Sequence, residues 1–358
     1  MRVVVVGAGV MGCGTALELK ARGVSDVIVL ERAVPGAEAS SAAAGMLAAQ
    51  IESRDDAELD GYVAAREAYA NWAASLRELT GVDIGYRRSG ALSIVSPEGL
   101  DAARRLVDSQ RARGLRAELI DGTAARMVEP ELASGVMHAL HFSDEAQVDP
   151  PQLLRALSVA TSRAGVVIRG GSTVSMLLTE GGRCVGVSLD GREILRADAV
   201  VLAAGSWSSL VPGVPDELPR VRPVRGQLLM LEERPARLGS IVFSGHAYVV
   251  PRGDGRVVCG ATMEHVGHRR ELTAAGIHTV LGNSIAIAPR LGEAEFVRAW
   301  SNFRPQVATS DGSPGAPLVG RSPLPGLFLA TGHHRNGILL AKVTADTVAN
   351  AVTAAPPR

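Results

Sequence analysis

The sequence is short of residues on which several classes of protein depend. Its three cysteines, Cys13, Cys184 and Cys259, are far apart and form no C-x-x-C pair, which argues against a disulfide framework or a zinc site. The 37 basic and 37 acidic residues balance. No basic segment is interleaved with aromatic residues, so a nucleic-acid-binding role has little support. A small-molecule partner is therefore expected.

Long apolar runs are also lacking. No stretch reaches the roughly 18 residues of a membrane-spanning helix, and the first apolar run ends at Gly7, too early for a signal peptide. These features predict a soluble, cytoplasmic protein with no membrane association. A chain of 358 residues with 46% hydrophobic content is expected to form two domains. The residues do not determine the oligomeric state, and a homo-oligomer is one alternative.

The strongest local pattern is the run VVVVGAGVMGCGTALELKARGVSDVIVLE at residues 3–31. It predicts a buried strand, a glycine turn, a helix and a second strand. Gly7, Gly9 and Gly12 form G-x-G-x-x-G, in which the glycines permit the turn, the approach of a pyrophosphate and close helix packing. Glu31 follows Gly12 by nineteen residues and is placed to accept hydrogen bonds from ribose hydroxyls. The alternative is a solvated carboxylate at a strand end.

The rest of the chain alternates between two patterns. Helices are predicted over Asp55 to Thr80 and after Asp149, an N-cap candidate followed by two prolines. A DG turn near residue 190 predicts a hairpin, and alternating strands between Pro223 and Arg304 predict an antiparallel α+β region. The expected fold class is α/β, with a Rossmann-type parallel sheet and an inserted antiparallel substrate domain. The predicted boundaries are 1–82, 144–222 and 305–358 for the nucleotide domain and 83–143 and 223–304 for the substrate domain.

Two further segments bring small residues to places where a ligand can approach the backbone. ASSAAAGM, residues 39–46, offers the Ser40 and Ser41 hydroxyls to phosphate oxygens, although it also reads as an alanine-rich helix start. ADAVVLAAGSWS runs a buried strand into Ala204 and Gly205, where a ligand would meet the carboxyl end of the sheet. The alternative is a buried strand that stops at a glycine.

Taken together and in order, the glycine turn, SSAAAGM, VVLAAGSWS, HAYVVPRGDGRVVCGATM, the FRP and DG pairs and TGHHRNGILLA resemble the FAD-dependent D-amino-acid oxidase superfamily. The branch that the chain resembles most is that of the glycine oxidases. The resemblance runs from about Val3 to Ala345. It implies a glutathione-reductase-like FAD domain roofed by an antiparallel substrate domain. It also implies hydride transfer from a substrate Cα to flavin N5, hydrolysis of the imine, and reoxidation by dioxygen to give hydrogen peroxide.

The resemblance also implies the site residues. Non-covalent FAD is expected against the glycine turn (Gly7, Gly9, Gly12), Val10, Met11, Glu31, Arg32, Ser40, Ser41, Ala44, Gly45, Met46, Val174, Ala204, Gly205, His333, His334, Arg335, Asn336, Gly337, Ile338 and Leu339. The substrate is expected near Arg304, Tyr248, His246, Met263, Met46, Asn302 and Arg335. Of these, Arg304 is expected to hold the substrate carboxylate, with Tyr248 and His246 at the roof of the site.

The chemistry of an amino-acid oxidase needs such residues. An arginine binds a carboxylate through two charge-assisted hydrogen bonds, which places Cα over a flavin. No protein base is required if the amine arrives neutral. The alternatives are a structural role for Arg304, a half-buried strand aromatic for Tyr248, an ordinary hydrogen-bonded histidine for His246 and a core residue for Met263. His333 and His334 have no acidic or cysteine partner nearby, so no metal site is expected.

The chain departs from the glycine oxidase pattern at Asn302 and Phe303 before Arg304, in an insertion after Asp311 and at Lys342. The surroundings of Arg304, which is expected to bind the substrate carboxylate, thus differ from those in glycine oxidases. This difference suggests that the substrate is a glycine with an N-substituent, such as an N-carboxymethyl amino acid. Gln50 is a candidate contact for that substituent or else a solvated loop residue.

Lys342 is a candidate for oxygen activation or else a solvated helix lysine. Competing functions are a thiamin-pathway glycine oxidase, a flavin- or nicotinamide-linked dehydrogenase with another electron acceptor, and a non-catalytic dinucleotide-binding module.

Overall fold

The computed structural model describes residues 1–190, 192–245 and 247–354. The strands are β1 (Arg2–Val6), β2 (Asp26–Leu30), β3 (Met46–Leu47), β4 (Ala91–Val95), β5 (Glu118–Asp121), β6 (His138–Phe142), β7 (Ala146–Gln147), β8 (Val167–Arg169), β9 (Val174–Glu180), β10 (Arg183–Leu189), β11 (Glu193–Arg196), β12 (Ala199–Leu202), β13 (Val221–Glu232), β14 (Ile241–Ser244), β15 (Ala247–Pro251), β16 (Arg256–Gly260), β17 (Glu295–Val307), β18 (Leu318–Arg321) and β19 (Leu327–Thr331). The α-helices are α1 (Val10–Ala21), α2 (Ala39–Ala42), α3 (Ala49–Glu52), α4 (Asp56–Thr80), α5 (Leu100–Ala112), α6 (Gly122–Val128), α7 (Pro150–Arg163), α8 (Ala274–Ile287) and α9 (Ala341–Thr353).

The first sheet has the strand order β18-β19-β12-β1-β2-β8, and β1 is parallel to both β2 and β12. Its central strand is buried on both faces. Val3 and Val5 pack in a core with side chains of α1, α7 and α9, whereas Val4 and Val6 pack against a three-stranded sheet of β9, β10 and β11. This burial explains the continuous apolar run of β1, because a parallel strand covered on both sides exposes no polar face.

The second large sheet has the order β17-β13-β16-β15-β14-β4-β6-β5. Its neighbours are antiparallel except for β14 and β4, which are parallel. Strands from residues 91–142 and from residues 221–307 meet in this one sheet, so the predicted α/β architecture with an antiparallel second part is confirmed. The domain boundaries themselves remain a prediction.

Helix boundaries follow local signals, with one exception. The Asp55 side chain accepts a hydrogen bond from the Glu58 amide and Gly81 ends α4 in the left-handed conformation, with φ of 75°. Asp149 precedes α7 as predicted, but its side chain makes no cap hydrogen bond. That carboxylate instead accepts a hydrogen bond from Arg256 Nη2 at 3.2 Å. Asp149 therefore stands at the predicted N-cap position of α7, and its side chain contacts Arg256 instead of the helix amides.

Within the described residues, none of the helices combines the length and the apolar character that a transmembrane span requires.

Candidate active site

The glycine turn after β1 is held close to the neighbouring strand. Gly7 has φ of 104°, and a Cβ on it would lie 2.5 Å from the carbonyl oxygen of Ala203 at the end of β12. A Cβ on Gly12 would collide with the carbonyl oxygen of Gly7. Both positions therefore need glycine, and α1 begins directly after the turn, at Val10.

Glu31 supports this turn from the next strand. Its Oε2 accepts a hydrogen bond from the Ala8 amide at 3.0 Å and its Oε1 accepts one from the Ala33 amide at 3.0 Å. The side chain is buried, with 8% of the residue exposed. The solvated strand-end interpretation of Glu31 is thereby contradicted, because the carboxylate is held by backbone donors beside the glycine turn.

A single long cleft runs from this turn to the antiparallel sheet. Its lining includes most of the residues predicted to hold a cofactor, namely Gly7, Gly9, Val10, Met11, Glu31, Arg32, Ser40, Ala44, Gly45, Met46, Val174, Ala204, Gly205, His333, His334, Arg335, Asn336, Gly337 and Ile338. Tyr248, Asn302 and Arg304 line the same cleft. The fold thus brings the nucleotide-type and substrate-type residues into one continuous space.

Ser40 and Ser41 differ in what their hydroxyls contact. The Ser40 hydroxyl accepts a hydrogen bond from the Val10 amide at 3.1 Å, at the amino end of α1. The Ser41 hydroxyl donates to the carbonyl oxygen of Glu38 at 3.2 Å, and Ser41 is not among the residues that line the cleft. Ser40 therefore lies in the cleft at the amino end of α1, and Ser41 does not.

Two glycines make room for the predicted substrate residues. Arg304 on β17 lies above Gly226 of the adjacent strand β13, where a Cβ would be 2.5 Å from Nη1 and 2.7 Å from Nη2. Tyr248 on β15 is paired with Gly260 of β16, where a Cβ would be 2.7 Å from the tyrosine ring. The Arg304 guanidinium also donates to the Thr262 carbonyl oxygen at 3.1 Å.

Tyr248 is buried, with 6% of the residue exposed. Burial raises the pKa of its hydroxyl, and the nearby positive charges of Arg304 and Arg335 oppose this rise without cancelling it. The hydroxyl therefore stays protonated at neutral pH and can donate a hydrogen bond beside the guanidinium.

Several hydrogen-bond donors of the segment after β19 already bond to other groups of the chain. The His334 amide donates to the Pro305 carbonyl oxygen at 2.8 Å and the Asn336 amide donates to that of His333 at 2.9 Å. Asn336 Nδ2 donates to Tyr62 Oη at 3.0 Å. Two backbone amides of this turn and the Asn336 side chain therefore already have partners within the chain.

Comparison with known proteins gives the family. The sequence pattern of the family described as FAD dependent oxidoreductase, abbreviated DAO, matches residues 2–351. The chain belongs to this family.

Its relatives are similar over nearly the whole of this chain. A glycine oxidase from Geobacillus kaustophilus is 33% identical, with 98% of this chain and 92% of the relative covered. A bifunctional protein ThiO/ThiG from Nostoc sp. is 35% identical over 98% of this chain but only 52% of its own length. The chain therefore spans about half the length of the ThiO/ThiG relatives.

Solved structures agree with this result. The crystal structure of glycine oxidase from Geobacillus kaustophilus superimposes with a TM-score of 0.91 at 33% identity and covers 98% of this chain and 94% of that one. The structure of iminodiacetate oxidase from Chelativorans sp. BNC1 gives 0.87 at 26% identity, over 100% of this chain and 96% of that one. The chain is thus an FAD-dependent oxidoreductase with the fold of the glycine oxidase structure.

The residues of this DAO-family chain fit FAD. Gly7 and Gly12 keep the glycine turn free of side chains, Val10 and Met11 at the start of α1 line the cleft, and the Glu31 carboxylate lies beside the turn. Arg32 pairs with Glu38 at 2.6 Å, and its guanidinium carbon lies 3.8 Å from the centre of the Trp207 ring. A dinucleotide cofactor needs such a turn, a helix amino end and an acidic residue.

Several predicted residues are not brought to the cleft. Gly12 packs inside the turn and Leu339 is core, with 1% exposed. Met263 is 39% exposed and does not line the cleft, which leaves its predicted contact with the substrate unsupported. His246 lies outside the described residues.

Gln50 and Lys342 also lie elsewhere. Gln50 is buried, and its side chain bonds to Gln110 at 2.8 Å and to Arg66 at 2.9 Å, so it is neither a solvated residue nor a lining one. Lys342 pairs with Asp346 at 2.6 Å and Glu18 at 3.1 Å and does not line the cleft. Its suggested part in oxygen activation therefore has no support.

Other lining residues were missed. Glu52 lines the cleft and pairs with Arg335 at 2.5 Å, and Trp207 and Phe303 form an edge-to-face aromatic pair with ring centroids 5.9 Å apart. Glu52 follows the predicted Gln50 by two residues, and Trp207 stands inside the quoted VVLAAGSWS motif. No sequence signal distinguished them from ordinary surface residues.

Proposed function

We propose that this chain oxidises the Cα-N bond of glycine or of an N-substituted glycine. The observation that carries the proposal is the Arg304 guanidinium, which lies over Gly226 and next to Tyr248 in the cleft that also contains the glycine turn. Relatives named glycine oxidase and a structural neighbour named iminodiacetate oxidase support this choice of substrate class.

Arg304 and Tyr248 position the substrate. A guanidinium offers two parallel N-H groups to a carboxylate, and this geometry restricts both the distance and the plane of the bound group. The protonated Tyr248 hydroxyl adds a third donor. When its carboxylate is bound, the substrate directs its Cα and amine to the flavin end of the cleft. This positioning lowers the barrier to hydride transfer, and no dedicated protein base is needed.

The positive charge of Arg304 also acts on the amine, whereas the charge of Arg335 is paired with Glu52. Nearby cations and exclusion from water both disfavour an ammonium group, so the site favours the neutral amine. FAD, held in the cleft by the residues beside the glycine turn, would supply the acceptor for the hydride of the substrate Cα. The proposed products are glyoxylate, the released amine and, with dioxygen as acceptor, hydrogen peroxide.

Two polar residues, Asn302 and Arg335, line the cleft that contains Arg304. Asn302 lines the cleft while its Oδ1 accepts a hydrogen bond from the Phe303 amide at 2.8 Å. Arg335 lines the cleft as well and is neutralised by Glu52. N-carboxymethyl amines are therefore included among the proposed substrates, as are glycine and sarcosine.

The test is an anaerobic bleaching screen of the purified protein. We expect a yellow protein whose flavin is bleached by glycine, sarcosine or iminodiacetate, with D-alanine as the comparison. A colourless preparation, or a flavin bleached only by D-alanine, would contradict the proposal. If free glycine has a higher catalytic efficiency than every N-substituted glycine, the preference for N-substituents is wrong while glycine oxidation stands.

The electron acceptor needs its own measurement. We expect one hydrogen peroxide for each amine released in air-saturated buffer. A low peroxide yield together with fast reduction of an added dye would favour the dehydrogenase alternative.

A further inference from the structure

Arg252 joins the antiparallel sheet to a segment that lines the cleft. It directly follows β15, and its Nη2 donates a hydrogen bond to the Ala44 carbonyl oxygen at 2.5 Å. Its Nη1 donates to the Val148 carbonyl oxygen at 2.8 Å and to Gln147 Oε1 at 3.0 Å. Residues 44–46 all line the cleft. One guanidinium therefore connects the second large sheet to the wall of the ligand-binding space.

The peptide between Ala44 and Gly45 has a fixed orientation. Gly45 has φ of 81°, and a Cβ on it would lie 2.2 Å from the Val148 carbonyl oxygen. The Gly45 carbonyl oxygen accepts a hydrogen bond from the Val148 amide at 2.9 Å. The C=O and N-H groups of a trans peptide point in opposite directions. The N-H end of this peptide therefore points away from Arg252, to which its carbonyl oxygen is bonded.

No carboxylate pairs with Arg252 in the part of the chain that the structure describes. Asp149 and Asp254 are the acidic residues that act on it, but both pair with Arg256, at 3.2 and 2.8 Å. Arg87 is a further cation nearby. Burial lowers the pKa of the Arg252 guanidinium to about 10, so the group stays protonated at neutral pH. Its positive charge is thus in excess behind the wall of the cleft.

This wall belongs to the end of the cleft where the flavin ring is expected. Ala44 packs in one buried apolar cluster with Tyr248, and Met46 packs against the same cluster. The glycine turn and Glu31, which suit the pyrophosphate and the adenosine, lie at the opposite end. A reduced flavin carries negative charge on its ring, so positive charge and oriented dipoles beside the ring favour the reduced form.

We propose that Arg252 raises the reduction potential of the bound flavin by acting through the Ala44–Gly45 peptide. Its hydrogen bond to the Ala44 carbonyl oxygen polarises this peptide and strengthens the positive end at the N-H group. The unpaired charge of the guanidinium adds to this effect. Arg252 is therefore a positioning residue that also tunes the cofactor. The inference requires bound FAD, the cofactor of this family, and does not depend on the amine substrate proposed above.

Trp300 on β17 provides a matched comparison. Its Nε1 donates a hydrogen bond to the Ala42 carbonyl oxygen at 3.0 Å, and Ala42 also lines the cleft. This bond holds the same small-residue segment from the same sheet, but its donor carries no charge. A loss of placement should therefore be common to variants of Arg252 and Trp300, whereas a loss of charge is specific to Arg252.

The test measures the two-electron midpoint potential of the flavin in the holoenzyme, by anaerobic equilibration with reference dyes. We expect Arg252→Met, which removes the charge, to shift the redox equilibrium about tenfold toward oxidised flavin, the effect of one charge-assisted hydrogen bond. For a two-electron couple this shift lowers the potential by about 30 mV. Trp300→Phe should keep the wild-type potential. Both variants should bind FAD more weakly, as followed by the quenching of FAD fluorescence on addition to the apoprotein.

Two further variants keep the result interpretable. Arg252→Gln is neutral but retains an amide donor, so it should lower the potential even if the methionine variant does not retain FAD. Arg252→Lys keeps the charge without the planar fork, so it should recover most of the potential while FAD binding stays weakened. FAD content and unfolding temperature are measured for each variant.

Two results would overturn the inference. A wild-type potential in the neutral Arg252 variants shows that the guanidinium does not act on the flavin. An equal fall in Arg252→Gln, Arg252→Lys and Trp300→Phe shows that the placement of the segment matters and the charge does not. A wild-type flavin that no glycine-type amine bleaches contradicts the proposed function alone, because the potential is measured without a substrate.

Discussion

Gly226 and Gly260 leave space for two large side chains of the proposed substrate site. Neither glycine has a left-handed backbone, so conformational freedom is not the reason for glycine at these positions. Each lies on a strand beside the residue it accommodates, Gly226 next to Arg304 and Gly260 next to Tyr248. The positions of these two side chains therefore depend on glycines of the neighbouring strands.

Replacing Gly226 by alanine tests this dependence. The added Cβ would lie 2.5 Å from Nη1 of Arg304, and the flexible guanidinium must move because the strand backbone cannot. We expect kcat/KM for the amine substrate to fall about tenfold or more, since a displaced clamp loses charge-assisted hydrogen bonds of roughly 1.5 to 3 kcal/mol. Steady-state kinetics measure this change, and FAD content should remain that of the wild type.

Gly282→Ala is the matched control. Gly282 lies in α8 and a Cβ there meets nothing within 4 Å, so alanine should leave kcat/KM unchanged and stabilise the helix by up to about 1 kcal/mol. Equal activity of Gly226→Ala and Gly282→Ala would show that the Arg304 position does not matter for catalysis.

Helix α3 is a short element whose place depends on a buried carboxylate. Glu145 accepts hydrogen bonds from the Ala49 and Gln50 amides at 2.9 and 2.5 Å, at the amino end of the helix. Arg66 lies 3.5 Å from the same carboxylate. A helix of four residues cannot satisfy its own first amides, so Glu145 fixes the amino end of α3. Glu52, the last residue of α3, is positioned in this way and pairs with Arg335.

The charge state of Glu145 should make stability depend on pH. Burial raises the pKa of Glu145 to about 7 from an ordinary value of 4.5, although Arg66 and the two amides oppose the rise. The folded chain thus binds this proton more tightly than the unfolded chain. The contribution of Glu145 to the free energy of unfolding is therefore largest below pH 4.5 and decreases as the pH rises to about 7.

Urea unfolding of Glu145→Gln at pH 5 and pH 7.5 measures this contribution. We expect the wild type to lose stability relative to the variant between these two pH values, because glutamine does not titrate. Glu293→Gln, at an exposed site with 80% of the side chain accessible, should follow the wild type. Parallel pH dependences of the wild type and Glu145→Gln would show that Glu145 does not change its protonation in this range.

The cleft joins the two large sheets of the molecule into one ligand-binding unit. Its lining takes the glycine turn, Glu31 and the segment after β19 from the parallel part, and Tyr248 and Arg304 from the antiparallel part. A ligand that fills this cleft contacts the folded chain at points distant in sequence. Its binding therefore favours the folded state as a whole.

FAD should accordingly stabilise the apoprotein in a concentration-dependent way. At a free FAD concentration one hundred times its Kd, the gain is about 2.7 kcal/mol, which thermal unfolding can detect. FMN lacks the adenosine expected near Glu31 and should give a smaller shift at the same concentration. An equal shift with FMN would contradict the assignment of the Glu31 end of the cleft to the adenosine.

The sequence by itself determined the features that short segments encode. The glycine turn with Glu31, the helix over Asp56–Thr80 and the alternating strands were predictable because turn geometry, helical period and strand alternation are properties of neighbouring residues. The family resemblance also allowed Arg304 and Tyr248 to be predicted as site residues, and both line the cleft.

Only the tertiary structure decided which side chains meet across the fold. The Glu52 pair with Arg335, the burial of Gln50 against Arg66 and Gln110, and the unpartnered nitrogen of His334 depend on packing between distant segments. No local pattern carries this information, because a side chain's partners are chosen by the space and the polar groups that other elements bring to it. TGHHRNGILLA marked the right region, but only the tertiary contacts show that His333 Nε2 has a partner in Thr344 Oγ1 whereas His334 Nε2 has none among the described residues.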